Sequence, residues 1–371
     1  MVTRRTARLD ESDVRVRANP KGNRPRSKDR PKHDDAATAQ VVAVDRGRYT
    51  CLPGGFDAPA DGGLVTAMKA RELGRSGVVV GDRVALVGDT SGQPGTLARI
   101  VRVEERATML RRSADDVDPV ERPIVANADQ LAIVAALADP VPRPRMIDRC
   151  LVAAYDAGLG ALLVLTKADL LRADAAEPFL AAYREMGVRT VVLGLDDADA
   201  GRIDGVEAAV DALDGRVTVL VGHSGVGKST LVNALVPGAH RATGRVNDVT
   251  GRGRHTSTSA IALALPGGGW VIDTPGVRSF GLAHVDPDRL VGHFGDLTPA
   301  LADCPRGCTH DEPECGLDPY VASGAAGPAG PARLDSLRRL LRSRRGADED
   351  DARAAASAPV SASPDRGHGQ G

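Results

Sequence analysis

The stretch Gly222-His223-Ser224-Gly225-Val226-Gly227-Lys228-Ser229 fits the pattern G-x-x-x-x-G-K-[ST] without a mismatch. Such a loop binds phosphate only between a buried strand and a helix, so it dictates its own surroundings. Directly upstream, Val217-Thr218-Val219-Leu220-Val221 is a short apolar, β-branched run that reads as a buried strand, and residues 229–235 read as the first turns of a helix. Glycines at these positions let the backbone wrap a phosphate with its N–H groups pointing inward, and the helix N-terminus adds partial positive charge. Lys228 would then reach the β- and γ-phosphates, and Ser229, followed by Thr230, a Mg²⁺ ion.

The layers around this loop must be built from small aliphatic residues. Hydrophobic residues make up 42% of the chain but aromatics only 2%, which suits α/β packing of Ala, Val, Leu and Ile. A length of 371 residues predicts two or three domains. From about residue 38 to 112, short β-like runs at 40–44, 48–52, 64–69, 82–87 and 96–103 alternate with turn residues, predicting a small OB-type β-barrel. This segment holds only Tyr49 and Phe56 as aromatics, so base stacking would not dominate any nucleic-acid contact. Arg46, Arg48, Lys69, Arg71 and Arg75 could contact phosphates or form a merely solvated surface. Residues 113–123 read as a connector.

From 122 to about 300, apolar runs alternate with helical stretches: strands at 131–137, 161–165, 188–193 and 217–221, helices at 146–156 and 176–186, and a hairpin-like pair ending at 270–272. This alternation predicts a mostly parallel sheet with helices on both faces. Residues 301–346 hold a cysteine cluster and then a stretch at 333–345 in which Leu334, Leu337, Leu340 and Leu341 fall at helical spacing among arginines. The ends differ. Residues 1–37 predict a disordered basic arm, since residues 1–33 carry 11 Lys and Arg against 4 Asp and Glu; it could be a solubilising tail or a polyanion contact. Residues 347–371, rich in Ala, Ser, Asp and Gly, predict a disordered tail.

A nucleotide loop calls for a magnesium-supporting aspartate at the end of a later strand, and Asp273-Thr274-Pro275-Gly276 fits that place, 44 residues after Ser229. The Gly276 N–H could sense a γ-phosphate and move when it leaves. Between them, Gly251-Arg252-Gly253-Arg254-His255-Thr256-Ser257-Thr258 is a polar, glycine-bearing stretch able to order around Mg²⁺ and γ-phosphate, with Thr256 the first choice as ligand and Thr258 the second. Base identity would come from Thr166-Lys167-Ala168-Asp169 at the end of the strand at 161–165. A carboxylate at Asp169 can accept two hydrogen bonds from guanine, and adenine offers no such pair of donors. Lys167 can lay its methylene stem over the purine.

The order of these motifs is unusual, because the guanine motif precedes the phosphate loop by more than fifty residues instead of coming after it. The chain reads as circularly permuted. With Thr166-Lys167-Ala168-Asp169, then Gly222–Thr230 as G-H-S-G-V-G-K-S-T, then Gly253-Arg254-His255-Thr256, then Asp273-Thr274-Pro275-Gly276-Val277-Arg278 and a final Cys/His cluster, it resembles the RsgA/YjeQ family of circularly permuted GTPases that act on the small ribosomal subunit. The resemblance runs from about residue 38 to 345. It implies an OB barrel, a central permuted GTPase domain and a C-terminal zinc-binding helical domain. It also implies binding of GTP and GDP with Mg²⁺, contact with the small subunit and its rRNA, and assistance to late maturation of that subunit. Two details depart from the commonest pattern: Ser257 stands where threonine is frequent, and residues 194–204 are aspartate-rich without a clean Ser-Ala guanine loop.

In Cys304-x3-Cys308-x-His310-x4-Cys315, three thiolates and one imidazole make a closed tetrahedral set, predicting one structural Zn²⁺ rather than a catalytic one; three reactive or buried thiols are the alternative. Where many GTPases carry a water-orienting Gln, this chain has the apolar Val277. His255, to which the resemblance also points, is the predicted catalytic residue, able to orient or deprotonate water, and His223 is its rival. There is no apolar run of about 18 residues and no signal-peptide pattern at the start, so a cytoplasmic chain without a membrane span is expected, and nothing demands more than a monomer. Two other classes compete with the GTPase reading: a P-loop ATPase or kinase, in which Asp169 would have no specific role, and an RNA-binding protein that uses nucleotide only as a ligand.

Overall fold

The computed structural model describes residues 33–59, 62–74, 77–113, 121–172, 176–184, 186–195, 202–239, 260–275, 277, 280, 285, 287–328 and 330–345. Five strands at the start close on themselves: β1 (Ala37–Asp45), β2 (Arg48–Pro53), β3 (Val65–Lys69), β4 (Arg83–Gly88) and β5 (Ala98–Val103). They run in the order β1-β2-β3-β5-β4, and β4 returns to pair with β1. Every pairing is antiparallel except β3 with β5. The side-chain period of two fills the interior with Ala39, Val41, Tyr49, Cys51, Val65, Ala67, Val84, Leu86, Ala98 and Ile100. Closure removes the unpaired sheet edges that five short strands would otherwise expose. The expected barrel is therefore present among the described residues.

The expected connector at 113–123 is corrected by the structure. Strands β6 (Met109–Ser113) and β7 (Glu121–Ala126) pair antiparallel into a ribbon across it. Arginines, a proline and acidic residues hide its alternation in the sequence. The ribbon is tied down by a backbone bridge from Val80 to Val125 and by Arg106, whose guanidinium meets the fully buried Asp82 at 2.6 Å.

The second half is a six-stranded sheet, ordered β10 (Arg189–Val192), β9 (Gly160–Thr166), β8 (Gln130–Ala136), β13 (Val217–Gly222), β15 (Trp270–Asp273), β14 (Ile261–Ala264). The first five are mutually parallel, and β14 is antiparallel on the side facing the barrel. Between β10 and β13 in the chain, β11 (Gly194–Leu195) and β12 (Ile203–Asp204) form a separate two-residue antiparallel ribbon. Each face of the sheet is covered, which is why β8 reads as a continuous apolar run. Leu131, Ile133 and Ala135 point to one side, with helices α1 (Pro144–Asp156), α2 (Glu177–Arg184), α5 (Pro287–Val291) and α7 (Gly330–Arg345). Ala132, Val134 and Ala136 point to the other, with α3 (Val206–Leu213) and α4 (Lys228–Leu235).

Barrel and sheet are continuous, because Ala43 of β1 pairs with Ile261 of β14. A side-chain lock reinforces the joint: the Phe56 and Trp270 rings lie 4.8 Å apart, and the Trp270 indole N–H donates to the Phe56 carbonyl at 2.9 Å. After α5 come a 3-10 segment (Thr298–Asp303), α6 (Leu317–Ala322) and α7, in which Leu334, Leu337, Leu340 and Leu341 are all buried as their spacing predicts. No helix among the described residues is long and apolar enough to cross a membrane.

Candidate nucleotide site and cysteine-histidine centre

The phosphate loop leaves the carboxyl end of β13, the central strand of the sheet, where the chain order of the strands reverses. Gly222 is required there by space: a Cβ would stand 2.5 Å from the Val134 carbonyl oxygen of neighbouring β8. Gly225 and Gly227 hold φ of 82° and 86°, a region costly for any residue with a side chain. Gly227 caps α4, which begins at Lys228. Ser224, Ser229 and Thr230 are exposed at the rim, and Val226 is buried beneath it. His223 lies beside the entrance of α1, its Nε2 3.4 Å from Arg143 Nη1.

The strand–turn motif read as guanine-specific lies against this loop although sixty residues separate them in sequence. Thr166, at the end of β9, donates its hydroxyl to the Val226 carbonyl at 2.6 Å. Lys167 adopts a left-handed φ of 60°, which turns the chain sharply, and its ammonium reaches the Asp139 carbonyl. Asp169 sits exposed in the short 3-10 turn after it, and its Oδ1 accepts the Leu195 N–H at 2.9 Å. The partner segment missed in the sequence is therefore β11, held in place by its pairing with β12. Gly194 approaches so closely that a Cβ there would be 3.1 Å from the Asp169 amide nitrogen. A glycine directly after an apolar strand was the one available signal.

On the other side of β13, Asp273 ends β15 and pairs with Lys228, Nζ to Oδ1 at 2.8 Å, both side chains half-buried. Thr274 donates its hydroxyl to the Leu220 carbonyl at 2.7 Å, tying the aspartate turn to the loop strand. Val277 is buried in the core with Phe280, so its side chain offers nothing to water. His255, Thr256, Thr258 and Gly276, together with Arg75, Arg254 and Arg278, lie outside the described residues, as do 1–32 and 346–371. The structure thus gathers Thr166, Lys167, Asp169, the loop 222–230 and Asp273 at one end of the sheet. Hard oxygen donors at Ser229 and Asp273 suit Mg²⁺, and Lys228 is placed to exchange its carboxylate partner for phosphate oxygens.

Away from the sheet, Cys304, Cys308, His310 and Cys315 bring their ligand atoms within 4.8 Å of one another. Cys304 Sγ is 3.6 Å from His310 Nδ1 and 3.9 Å from Cys315 Sγ, which in turn is 3.9 Å from His310 Nδ1. A tetrahedron with Zn–S of about 2.3 Å has edges of about 3.8 Å, so the donor set fits zinc in both chemistry and size. His310 reaches the centre through a left-handed φ of 66°. Glu312 closes the loop by accepting the Thr309 and Asp311 N–H groups, and Arg338 of α7 donates to the His310 carbonyl at 3.3 Å while pairing with Asp318. By contrast Cys51 and Cys150 stand alone, and burial pushes both thiols up to about 12, which makes them inert packing residues.

A closed five-strand barrel joined to a P-loop sheet in which the guanine-type motif precedes the phosphate loop defines a circularly permuted nucleotide-binding protein. The RsgA GTPase family matches residues 103–283. A relative from Ectopseudomonas mendocina, named small ribosomal subunit biogenesis GTPase RsgA, is 38% identical over 273 residues, covering 72% of this chain and 75% of its own length. One of the same name from Pseudomonas fluorescens is 37% identical over 332 residues, 82% of this chain and 92% of that protein. Among solved structures, YjeQ from Thermotoga maritima superimposes with a TM-score of 0.59 at 25% identity, covering 84% of this chain and 99% of that one. YloQ, described as a circularly permuted GTPase, gives 0.57 at 22% identity over 85% and 98% of the two chains, a likeness of fold alone. The chain belongs to the RsgA GTPase family and is a GTP-hydrolysing enzyme.

Proposed function

We propose that this enzyme binds the small (30S) ribosomal subunit and assists its late maturation, with hydrolysis stimulated by the subunit and coupled to release. What supports this reading is the contact of the Thr166-Lys167-Ala168-Asp169 turn with the phosphate loop, together with relatives named for small-subunit biogenesis. In it, Asp169 accepts guanine's two N–H donors, Lys167 covers the base, and residues 222–230 cradle the phosphates with Lys228 on the β- and γ-oxygens. Ser229, Thr256 and Asp273 hold Mg²⁺, which when bound neutralises charge developing on the phosphates. Gly276 senses the γ-phosphate, and His255 orients the attacking water. Cys304, Cys308, His310 and Cys315 hold one structural Zn²⁺, and the set leaves no open position for catalysis.

The layout we propose is a basic arm at 1–37, the barrel at 38–112, the permuted GTPase domain at 122–300, a zinc-binding helical domain at 301–346 and a tail at 347–371. In it, barrel and zinc module grip rRNA while nucleotide state governs their hold. Phosphate release from GTP, measured with and without 30S particles and against competing ATP, tests the reading. Stimulation by 30S and poor competition by ATP are expected. Absence of stimulation rejects the ribosomal coupling. Equal competition, or an Asp169→Asn variant with unchanged preference, rejects the guanine assignment and favours an ATPase or kinase.

A further inference from the structure

Helix α1 carries two adjacent charged residues that face different partners. Arg149 donates Nε and Nη2 to a single acceptor, the Phe280 carbonyl oxygen, at 3.0 and 2.7 Å. Phe280 lies seven residues beyond Asp273 and is 1% exposed, so this carbonyl is fixed from two directions, by the guanidinium fork and by the ring sunk in the core. The near end of the same stretch is fixed as well: Asp273 by Lys228, the Thr274 hydroxyl by the Leu220 carbonyl, and the Val277 N–H by the Thr274 carbonyl at 3.3 Å. The neighbouring Asp148, fully buried, pairs with Arg339 of α7 at 3.1 Å, and α7 is the helix whose Arg338 holds the His310 carbonyl of the cysteine-histidine centre. One rigid helix therefore holds both the segment leaving the aspartate turn and the helix that supports the metal cluster.

We propose that Arg149 is a positioning residue for GTP hydrolysis, one that anchors the downstream end of the phosphate-sensing turn by gripping the Phe280 carbonyl. A turn that responds to a γ-phosphate must be held at both ends, or its movement is lost as slack. The upstream end is held by the phosphate loop itself, and Arg149 supplies the other anchor. Two parallel N–H donors on one oxygen fix direction as well as distance, which a lysine ammonium cannot reproduce. Since Asp148 sits one residue away, a shift of α7 also bears on this anchor, giving the metal module a physical route to the turn.

This inference rests on the assignment of Asp273 and the turn after it as the γ-phosphate sensor, so the test separates the two. Full-length Arg149→Met keeps the apolar stem and Arg149→Lys keeps the charge. For each, and for Asp273→Asn, affinities for GDP and for a non-hydrolysable GTP analogue are measured together with kcat and thermal melting. GDP binding uses the phosphate loop and base pocket, so Arg149→Met should hold its GDP Kd within about twofold. Its GTP-analogue affinity relative to GDP, and its kcat, should both fall about ten- to a hundredfold, the range of a lost charge-assisted hydrogen bond, with Arg149→Lys intermediate. A folded Arg149→Met with unchanged kcat and unchanged discrimination overturns the proposal. So does a parallel loss of GDP and GTP-analogue binding, which marks a merely structural role. If Asp273→Asn leaves discrimination intact, the sensor assignment itself fails; if Asp273→Asn abolishes it while Arg149→Met does not, the anchor alone is refuted.

Discussion

Replacing Thr166 by valine tests the central feature of this site, the contact that joins the base motif to the phosphate loop. Valine matches threonine in shape, so no cavity forms; the change removes only the hydroxyl that donates to the Val226 carbonyl at 2.6 Å. Thr166 is only 7% exposed and Gly227 packs against it, with a hypothetical Cβ 3.6 Å from Oγ1, so water has little room to replace the donor. Leaving a buried carbonyl without its partner costs about 1–3 kcal/mol. The carbonyl belongs to the residue whose orientation decides whether the N–H groups of the loop point inward. Part of that cost should therefore appear in binding: a loss of GDP affinity of about 5- to 30-fold, or about 1–2 kcal/mol. The remainder should lower the melting temperature by about 2–4 °C per kcal/mol. Fluorescent-GDP titration and thermal melting measure the two shares. A Thr166→Val protein with GDP affinity within about twofold of the parent and an unchanged melting temperature would refute the claim that this hydrogen bond shapes the loop. Preserved affinity with a lost preference for guanine would show that it serves Asp169 instead.

Two further perturbations probe the C-terminal half. Cys315, 1% exposed at the heart of the cluster, should be essential for metal: elemental analysis should find about one zinc per chain, lost in Cys315→Ser, with a lowered melting temperature and faster proteolysis near α7; a metal-free parent that melts unchanged would exclude a structural zinc. Burial outweighs the attraction of Arg339 and raises the Asp148 carboxyl to about 6, above the free value of about 3.9, so the folded state binds this proton more tightly; the stability it contributes is present below about pH 4 and is lost as pH rises through about 6, amounting to ~3 kcal/mol. Asp148→Asn should flatten the denaturant-unfolding profile across that window, and an unchanged slope would rule this group out as its source.

The parts of the fold legible in the sequence are those in which neighbours in the chain do the work. The loop at 222–229 announces itself because the strand before it, the glycines and the helix after it are contiguous. The barrel is legible from five alternating runs, and the last helix from Leu334, Leu337, Leu340 and Leu341. Contacts escape when their partners lie far apart in the chain and their residue types are ordinary. Gly194-Leu195 meets Asp169 only because β10 lies beside β9 in the sheet, and the sequence offers just one glycine to mark it. The ribbon at 109–126 is obscured by the arginines and the proline that interrupt its apolar alternation. Arg149 is one arginine among many, and its acceptor is a backbone carbonyl, which no side-chain pattern can advertise.

The permutation leaves the aspartate strand tied to the barrel at one end and to the phosphate loop at the other. Strand β15 begins at Trp270, locked to Phe56 of the barrel, and its hairpin partner β14 pairs with β1 of the barrel. It ends at Asp273, from which the chain runs to Phe280 under Arg149 and then toward the C-terminal helices. In an unpermuted order the chain would continue after this turn into further strands of the same sheet, and displacement of the turn would be absorbed there. Here β15 is the last strand of the sheet among the described residues, because β9, which ends at Thr166, and the turn bearing Asp169 have already been made. The chain beyond the turn therefore adds α5 and α7 to the face of the sheet that α1 and α2 already cover. Only Val271 and Ile272 separate the barrel lock at Trp270 from Asp273, the Lys228 partner, so a change in that ion pair lies one short strand from the barrel.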